Sequence, residues 1–187
     1  MDKKPRVAVL LAEGFEEVEA VAIIDVLRRA DVDVTIAAAA GPSGVVTGAH
    51  LISLTTDVAL CDLRPHDLAM VVLPGGMPGS ANLAANPAVL DLLRVVHGAG
   101  GLVAAICAAP IVLQAAGLLH GRRITCYPSF ETQLTGAVCT GQAVQRDDRI
   151  ITGRGPGTAL TFALELARAL GREAQAEQLR LGMLVDA

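Results

Sequence analysis

The sequence predicts an α/β domain built on a mostly parallel sheet, and three observations carry that expectation. Short apolar runs alternate with helix-like stretches from end to end, the order that parallel strands with crossover helices produce. Several of those runs stop at glycine, proline, cysteine or an acidic loop, and open α/β sheets gather their functional groups at such strand ends. The 187 residues contain no repeat, no low-complexity segment and no dividing linker, so residues 1–187 read as one domain.

Residues 6–12 read as a buried strand, followed by a loop at Glu13-Gly14-Phe15 and a helix to about Ala30. Residues 32–39 form the next strand. The stretch 44–54 alternates apolar and polar positions and is broken by Gly48, which predicts a hairpin at a sheet edge. Residues 68–73 form a strand ending in Pro74-Gly75-Gly76, and a helix follows Pro87, a residue suited to a first helical position. Residues 102–106 are a strand, 108–119 mostly helix, and 124–127 and 150–152 later strands. Gly155-Pro156-Gly157 opens a helix over about 158–170, and residues 172–182 form a last amphipathic helix.

Hydrophobic residues make up 52% of the chain and aromatics 2%, so the core is built from Ala, Val, Leu and Ile. Charged residues are only 18%, which points to a surface partly covered by another subunit. The first helix agrees: Val18, Ala20, Val21, Ala22, Ile23, Ile24, Val26 and Leu27 leave almost no polar face over its middle. One side is expected on the sheet and the other on a second copy, giving a homodimer through residues 17–30. A net charge of −4 and the absence of any Lys/Arg run argue against nucleic acid as a partner.

Residues 98–121 carry no Asp, Glu, Lys or Arg, a length that could span a bilayer. Gly100-Gly101, Pro110 and the many alanines favour a buried strand–turn–helix, so no membrane contact is expected. The apolar run 7–12 is too short for a signal-peptide core, and a cytoplasmic location is expected. Cys61, Cys107, Cys126 and Cys139 form no CxxC pair, and no histidine stands at zinc-ligand spacing, so neither a metal nor a disulfide framework is expected.

Cys107 stands apart from the other three cysteines, which read as structural. It lies between the strand ending at Ile106 and a helix starting near Ala108, the turn that exposes a nucleophile beside backbone N–H groups. A free thiol titrates near ~8.5, so only about 3% is thiolate at neutral pH. Lowering that value by about three units takes ~4 kcal/mol. A helix N-terminus supplies ~0.3–1 kcal/mol, or ~2 when partly buried. A hydrogen bond to the thiolate adds ~1.5–3 kcal/mol. The acidic run Glu13, Glu16, Glu17, Glu19 offers such a donor. Glu16 and Glu17 suit a helix N-terminus, whereas Glu19 has apolar helical neighbours in Ala22, Ile23 and Val26. A carboxyl group there tends to stay protonated. Protonated, it donates to the thiolate; ionised, it repels it. Gly75 and Gly76 allow backbone N–H groups to approach a ligand, with a simple turn as the plainer reading. No GxGxxG or GxxxxGK[ST] motif occurs.

Four segments together resemble the ThiJ/PfpI family, in particular its parkinsonism-associated deglycase branch. They are Glu13-Gly14-Phe15-Glu16-Glu17-Val18-Glu19, Val71-Val72-Leu73-Pro74-Gly75-Gly76, Ala104-Ala105-Ile106-Cys107-Ala108-Ala109-Pro110 and Thr152-Gly153-Arg154-Gly155-Pro156-Gly157-Thr158. The resemblance implies a flavodoxin-like three-layer sandwich, a homodimer, and no metal or organic cofactor. It implies Cys107 as nucleophile, Glu19 as its protonated partner, and the amides of Gly75, Gly76 and Ala108 as an oxyanion site. Tyr127, Glu16, Arg154 and Pro156 are assigned to the surrounding pocket. The implied activities are conversion of methylglyoxal to lactate without glutathione and repair of early glycation adducts, so the partner is a small carbonyl compound or a glycated protein. An oxidative-stress sensor or holdase chaperone using Cys107 is the alternative. Two departures matter. Tyr127 stands where many members place a histidine, and Ala108 follows the cysteine where the protease branch has a histidine, which argues against proteolysis.

Overall fold

The protein is described by a computed structural model over residues 4–185. In chain order the elements are β1 (Arg6–Leu11), α1 (Glu17–Arg29), β2 (Asp33–Ala38), β3 (Val45–Thr47), β4 (Ser53–Thr55), β5 (Val58–Ala59) and β6 (Met70–Leu73). There follow α2 (Gly79–Ala84), α3 (Pro87–Gly98), β7 (Leu102–Ile106), α4 (Pro110–Ala115), β8 (Arg123–Ile124) and β9 (Val138–Cys139). The chain closes with β10 (Val144–Asp147), β11 (Ile150–Gly153), α5 (Ala159–Ala169) and α6 (Glu173–Gly182).

Seven strands form the central sheet in the order β10-β11-β7-β6-β1-β2-β5, parallel throughout except for the β10–β11 hairpin. Successive side chains of a strand face opposite sides, so each strand feeds two cores. Val7, Val9 and Leu11 of β1 pack under α1, α5 and α6, while Ala8 and Leu10 pack under α2, α3 and α4. The strands are apolar on both faces because both faces are covered. After β2 and β5 the chain returns to the other side of β1 as β6. That reversal makes the carboxyl ends of β1 and β6 a topological switch point, where such sheets hold ligands.

The structure corrects several expectations. The 44–54 segment is a hairpin, but β3 and β4 pair only with each other, and β5 takes the sheet edge. The hairpin is tied instead to the loop after β1: Gly14 N donates to Thr47 O at 2.8 Å and Ala49 N to Phe15 O at 2.8 Å. The 108–119 helix shrinks to α4, whose Pro110 occupies the first turn and whose end is followed by Gly117 at φ +77°. Of the strand expected over 124–127 only Ile124 belongs to β8, which pairs with β9 off the central sheet. Thr125 N donates to the Thr152 hydroxyl at 2.8 Å rather than to a ladder. The elements α2, β5 and β10 have no counterpart in the sequence pattern. Among the described residues no helix is long and apolar enough to cross a membrane.

Helix α1 buries Ala20, Ile23, Ile24, Val26 and Leu27 but leaves Val18 and Val21 58% and 47% exposed. These two line an apolar groove with Pro156, Leu160 and Leu184.

Candidate active site

Strand register brings the site together. Leu73 of β6 pairs with Ala105 of β7, so Gly75 and Cys107 lie at equivalent distances beyond the same rung. Helix α1 rises from the end of β1 next to them and carries Glu19 into the gap. Gly75 stays a glycine because of this crowding. A Cβ there would stand 2.6 Å from Cys107 Cβ and 2.7 Å from Glu19 Oε2. Gly76, at φ +88°, passes so close to Glu16 N that it too has no room for a side chain.

Cys107 sits directly after β7 in the left-handed region, at φ +63°, which is unfavourable for any residue with a Cβ. Neighbouring backbone over-determines it. Cys107 N donates to Gly153 O at 3.0 Å, and Tyr127 N donates to Cys107 O at 2.9 Å. The residue is 9% exposed, so only a small part of it meets solvent.

Glu19 is fully buried. Its Oε2 accepts a hydrogen bond from Gly75 N at 2.7 Å. Oε1 has no full hydrogen-bond partner, and the other group acting on the carboxyl as a hydrogen-bond partner is the Cys107 thiol. Burial raises the Glu19 carboxyl to about 7, against the opposing pull of Gly75 N–H and the thiol, with the charge of Glu16 adding a smaller push upward. The thiol is not lowered, as the sequence-based arithmetic required, but pushed up to about 12 by burial, by the Glu19 charge and by its hydrogen bond to Glu19. The backbone N–H groups of Ala108 and Gly76 pull in the opposite direction.

These two values describe a pair. One proton leaves near 7 and the second near 12, so over the range between them Cys107 and Glu19 hold a single proton. With that proton on Glu19 the sulfur is a thiolate facing two backbone donors and a carboxylic acid. With it on sulfur, the carboxylate is the acceptor. The arrangement can thus deliver a nucleophile and a proton in one step without a strongly acidic thiol.

The structure places the remaining predicted residues at differing removes. Ala108 is buried and contributes its N–H. Glu16, whose N donates to Gly75 O at 2.9 Å, reaches Glu19 through its charge. Tyr127 approaches Cys107 through its backbone; its ring is 46% exposed and lies against Gly155. The Arg154 guanidinium is engaged by Gly141 O at 2.6 Å, and Pro156 lines the apolar groove beside α1. Glu17 starts a helix as expected, but it is buried, accepts from His50 N at 2.6 Å and contacts His50 Nδ1 at 2.9 Å. Gly48 leaves room for that carboxylate. No sequence signal joins residues so far apart. Glu16, Glu17 and His50 present ligand atoms within 4.8 Å of one another, but both Glu17 oxygens are already engaged, so the cluster reads as an ion pair fastening the hairpin.

A flavodoxin-like sheet with a strained cysteine at one strand end and a buried carboxyl from the neighbouring helix defines the class of protein. The chain belongs to the DJ-1/PfpI family, which residues 5–169 match. It is 40% identical to protein dj-1beta of Drosophila melanogaster, over 95% of either chain. The crystal structure of Drosophila melanogaster DJ-1beta superposes with a TM-score of 0.92, at 38% identity, covering 98% of this chain and 99% of that one. The glutathione-independent glyoxalase DJR-1.2 of Caenorhabditis elegans is 36% identical, over 90% of this chain and 89% of its own.

Proposed function

We propose that the protein is a cysteine-dependent enzyme acting on small reactive dicarbonyls such as methylglyoxal, or on their early glycation adducts. The observation that supports this most is the strained Cys107 at the end of β7 beside the fully buried Glu19, whose Oε2 is held by Gly75 N–H at 2.7 Å. A relative named as a glutathione-independent glyoxalase adds to it. The slight exposure of Cys107 favours a free dicarbonyl over a bulky protein adduct.

In this reading the thiolate attacks the aldehyde carbon, and the carbonyl π pair moves onto oxygen. The amides of Gly76 and Ala108 hold the oxyanion until Glu19 protonates it, leaving a hemithioacetal. The Gly75 amide, expected as a third donor, is taken by Glu19 Oε2. Glu19, now a carboxylate, removes the hydrogen from the former aldehyde carbon. The proton returns to the adjacent carbon through an enediol, giving a lactoyl thioester. Water cleaves the thioester, releasing lactate and restoring the thiol. Methylglyoxal and one water are consumed per lactate, with no external oxidant or reductant. Arg154 and Pro156 have no part in these steps.

The test is lactate formation from methylglyoxal in an amine-free buffer, because amines scavenge the aldehyde. The native protein is expected to form many equivalents of lactate and Cys107→Ser none; equal yields from the two would sink the assignment. A second reading, an oxidation sensor or holdase, rests on the same donors, because a sulfinate on Cys107 would be held by protonated Glu19 and the backbone amides. Loss of thiol without turnover is the outcome that favours it.

We also propose a homodimer through α1, because Val18, Val21, Leu160 and Leu184 expose contiguous apolar surface on one face. Light scattering should give twice the chain mass for the native protein and the single mass for Val21→Arg. A monomeric native protein would contradict this.

A further inference from the structure

Two thiols that this chemistry does not use stand side by side. Cys126 follows β8, and Cys139 ends β9. The strands pair in parallel with Ile124 opposite Cys139, and Thr140 N and Thr140 Oγ1 both donate to Ile124 O, at 2.8 and 3.1 Å. Side chains alternate along extended backbone, so Ile124 and Cys126 share one side and Thr125 takes the other. Thr125 Oγ1 accordingly turns away to donate to Gln142 O at 2.7 Å. Ile124 and Cys126 are buried in the same apolar cluster against which Cys139 packs. Each thiol acts on the other's titration, so the two sulfurs are within interaction range of one another.

We infer that Cys126 and Cys139 form a reversible intramolecular disulfide, a second redox site separate from Cys107. The pair is asymmetric. Cys139 is half-buried and within reach of an oxidant, whereas Cys126 is buried behind it. Burial raises both thiols, with the charge of Glu131 adding to it, but the hydrogen bond from Cys126 favours the Cys139 thiolate, while Arg154 opposes the rise at Cys126. Cys139 is therefore the sulfur oxidised first.

With hydrogen peroxide as oxidant, the Cys139 sulfur attacks one of its oxygens. The S–O bond forms, the O–O bond breaks, and the leaving oxygen departs as water with the thiol proton. The Cys126 sulfur then attacks the Cys139 sulfenic acid; the S–S bond forms, the S–O bond breaks, and a second water leaves with the Cys126 proton. The two electrons lost by the sulfurs reduce the peroxide. Cys139 lies opposite Ile124, two residues before Cys126, so closing to a bond needs movement of the intervening chain. Residues 127–137 supply it, since they contain one short turn, Glu131–Gln133, and are largely exposed.

Both cysteines fall in one stretch without Lys or Arg, residues 124–145, between Arg123 and Arg146, so trypsin releases them together in the peptide 124–146. The native protein is treated with hydrogen peroxide or diamide, acid-quenched, alkylated under denaturing conditions, digested and weighed. The 124–146 peptide is expected to be unalkylated and two hydrogens lighter, and to take up two alkyl groups after dithiothreitol. The same result is expected in Cys107→Ala and is lost in Cys139→Ser. A peptide that still carries two alkyl groups once Cys107 is fully oxidised would overturn the inference. So would a disulfide found only between chains. The primary reading uses the unsubstituted chain, so a variant that fails to fold does not remove the test.

Discussion

Replacing Gly75 with alanine is expected to destroy the site and weaken the fold together. The added Cβ would meet Cys107 Cβ at 2.6 Å, Glu19 Oε2 at 2.7 Å and Ile106 O at 2.9 Å. None of these atoms is the free end of an exposed side chain, so relief must come from shifting β7 or α1. Overpacking of this kind costs ~1–3 kcal/mol, which for a chain of this size lowers the thermal midpoint by several degrees. The chemistry should suffer more. Gly75 N–H would leave its 2.7 Å bond to Glu19 Oε2, and displacing that acid–base group costs up to ~10²–10⁴ in rate. Thermal unfolding and the lactate assay read the two effects. An alanine variant of native activity would show that Gly75 is only a turn residue.

Glu19→Gln is expected to lower lactate formation by ~10²–10⁴, the range for losing a general acid–base group, while the fold persists. A second effect separates a titrating group from a merely polar one. The Glu19 carboxyl is raised from 4.5 to about 7, so between these values the folded chain holds a proton that the unfolded chain releases. The stability due to the neutral form is complete below pH 4.5 and is lost as pH rises through about 7. The shift is worth about 3 kcal/mol. Urea midpoints measured at roughly pH 5 and pH 8 should therefore fall further for the native protein than for Glu19→Gln. Equal falls would mean that Glu19 titrates normally.

Much of this site is legible in the sequence because its parts are local. A short apolar run ending in Cys107 before Ala108-Ala109-Pro110 marks a strand-end turn, and the apolar neighbours of Glu19 mark a buried carboxyl. The direction of the Cys107 shift was not legible, because it depends on how deeply two separate segments are buried against each other. The expected helix dipole is also weak, since α4 has only six residues and starts at Pro110. The elements the pattern hides are those fixed by distant pairing. Two-residue β5 is a strand because Val58 and Ala59 lie against Ala37 and Ala38. Polar β10 is a strand because it folds back on β11. The 124–127 run has strand-like residues, yet Thr125 is taken by Thr152 and Tyr127 by Cys107, which leaves β8 two residues long.

The claim on which the account rests is that Cys107 and Glu19 share one proton at neutral pH. The rate of iodoacetamide modification at Cys107, followed by mass from pH 5 to 10, tests it most directly. The account predicts a rise centred near 7, as the first proton leaves the pair, and then a plateau, because the second leaves only near 12. A single rise through the ordinary thiol range near ~8.5, with no inflection near 7, would show that the two groups titrate independently and would contradict it.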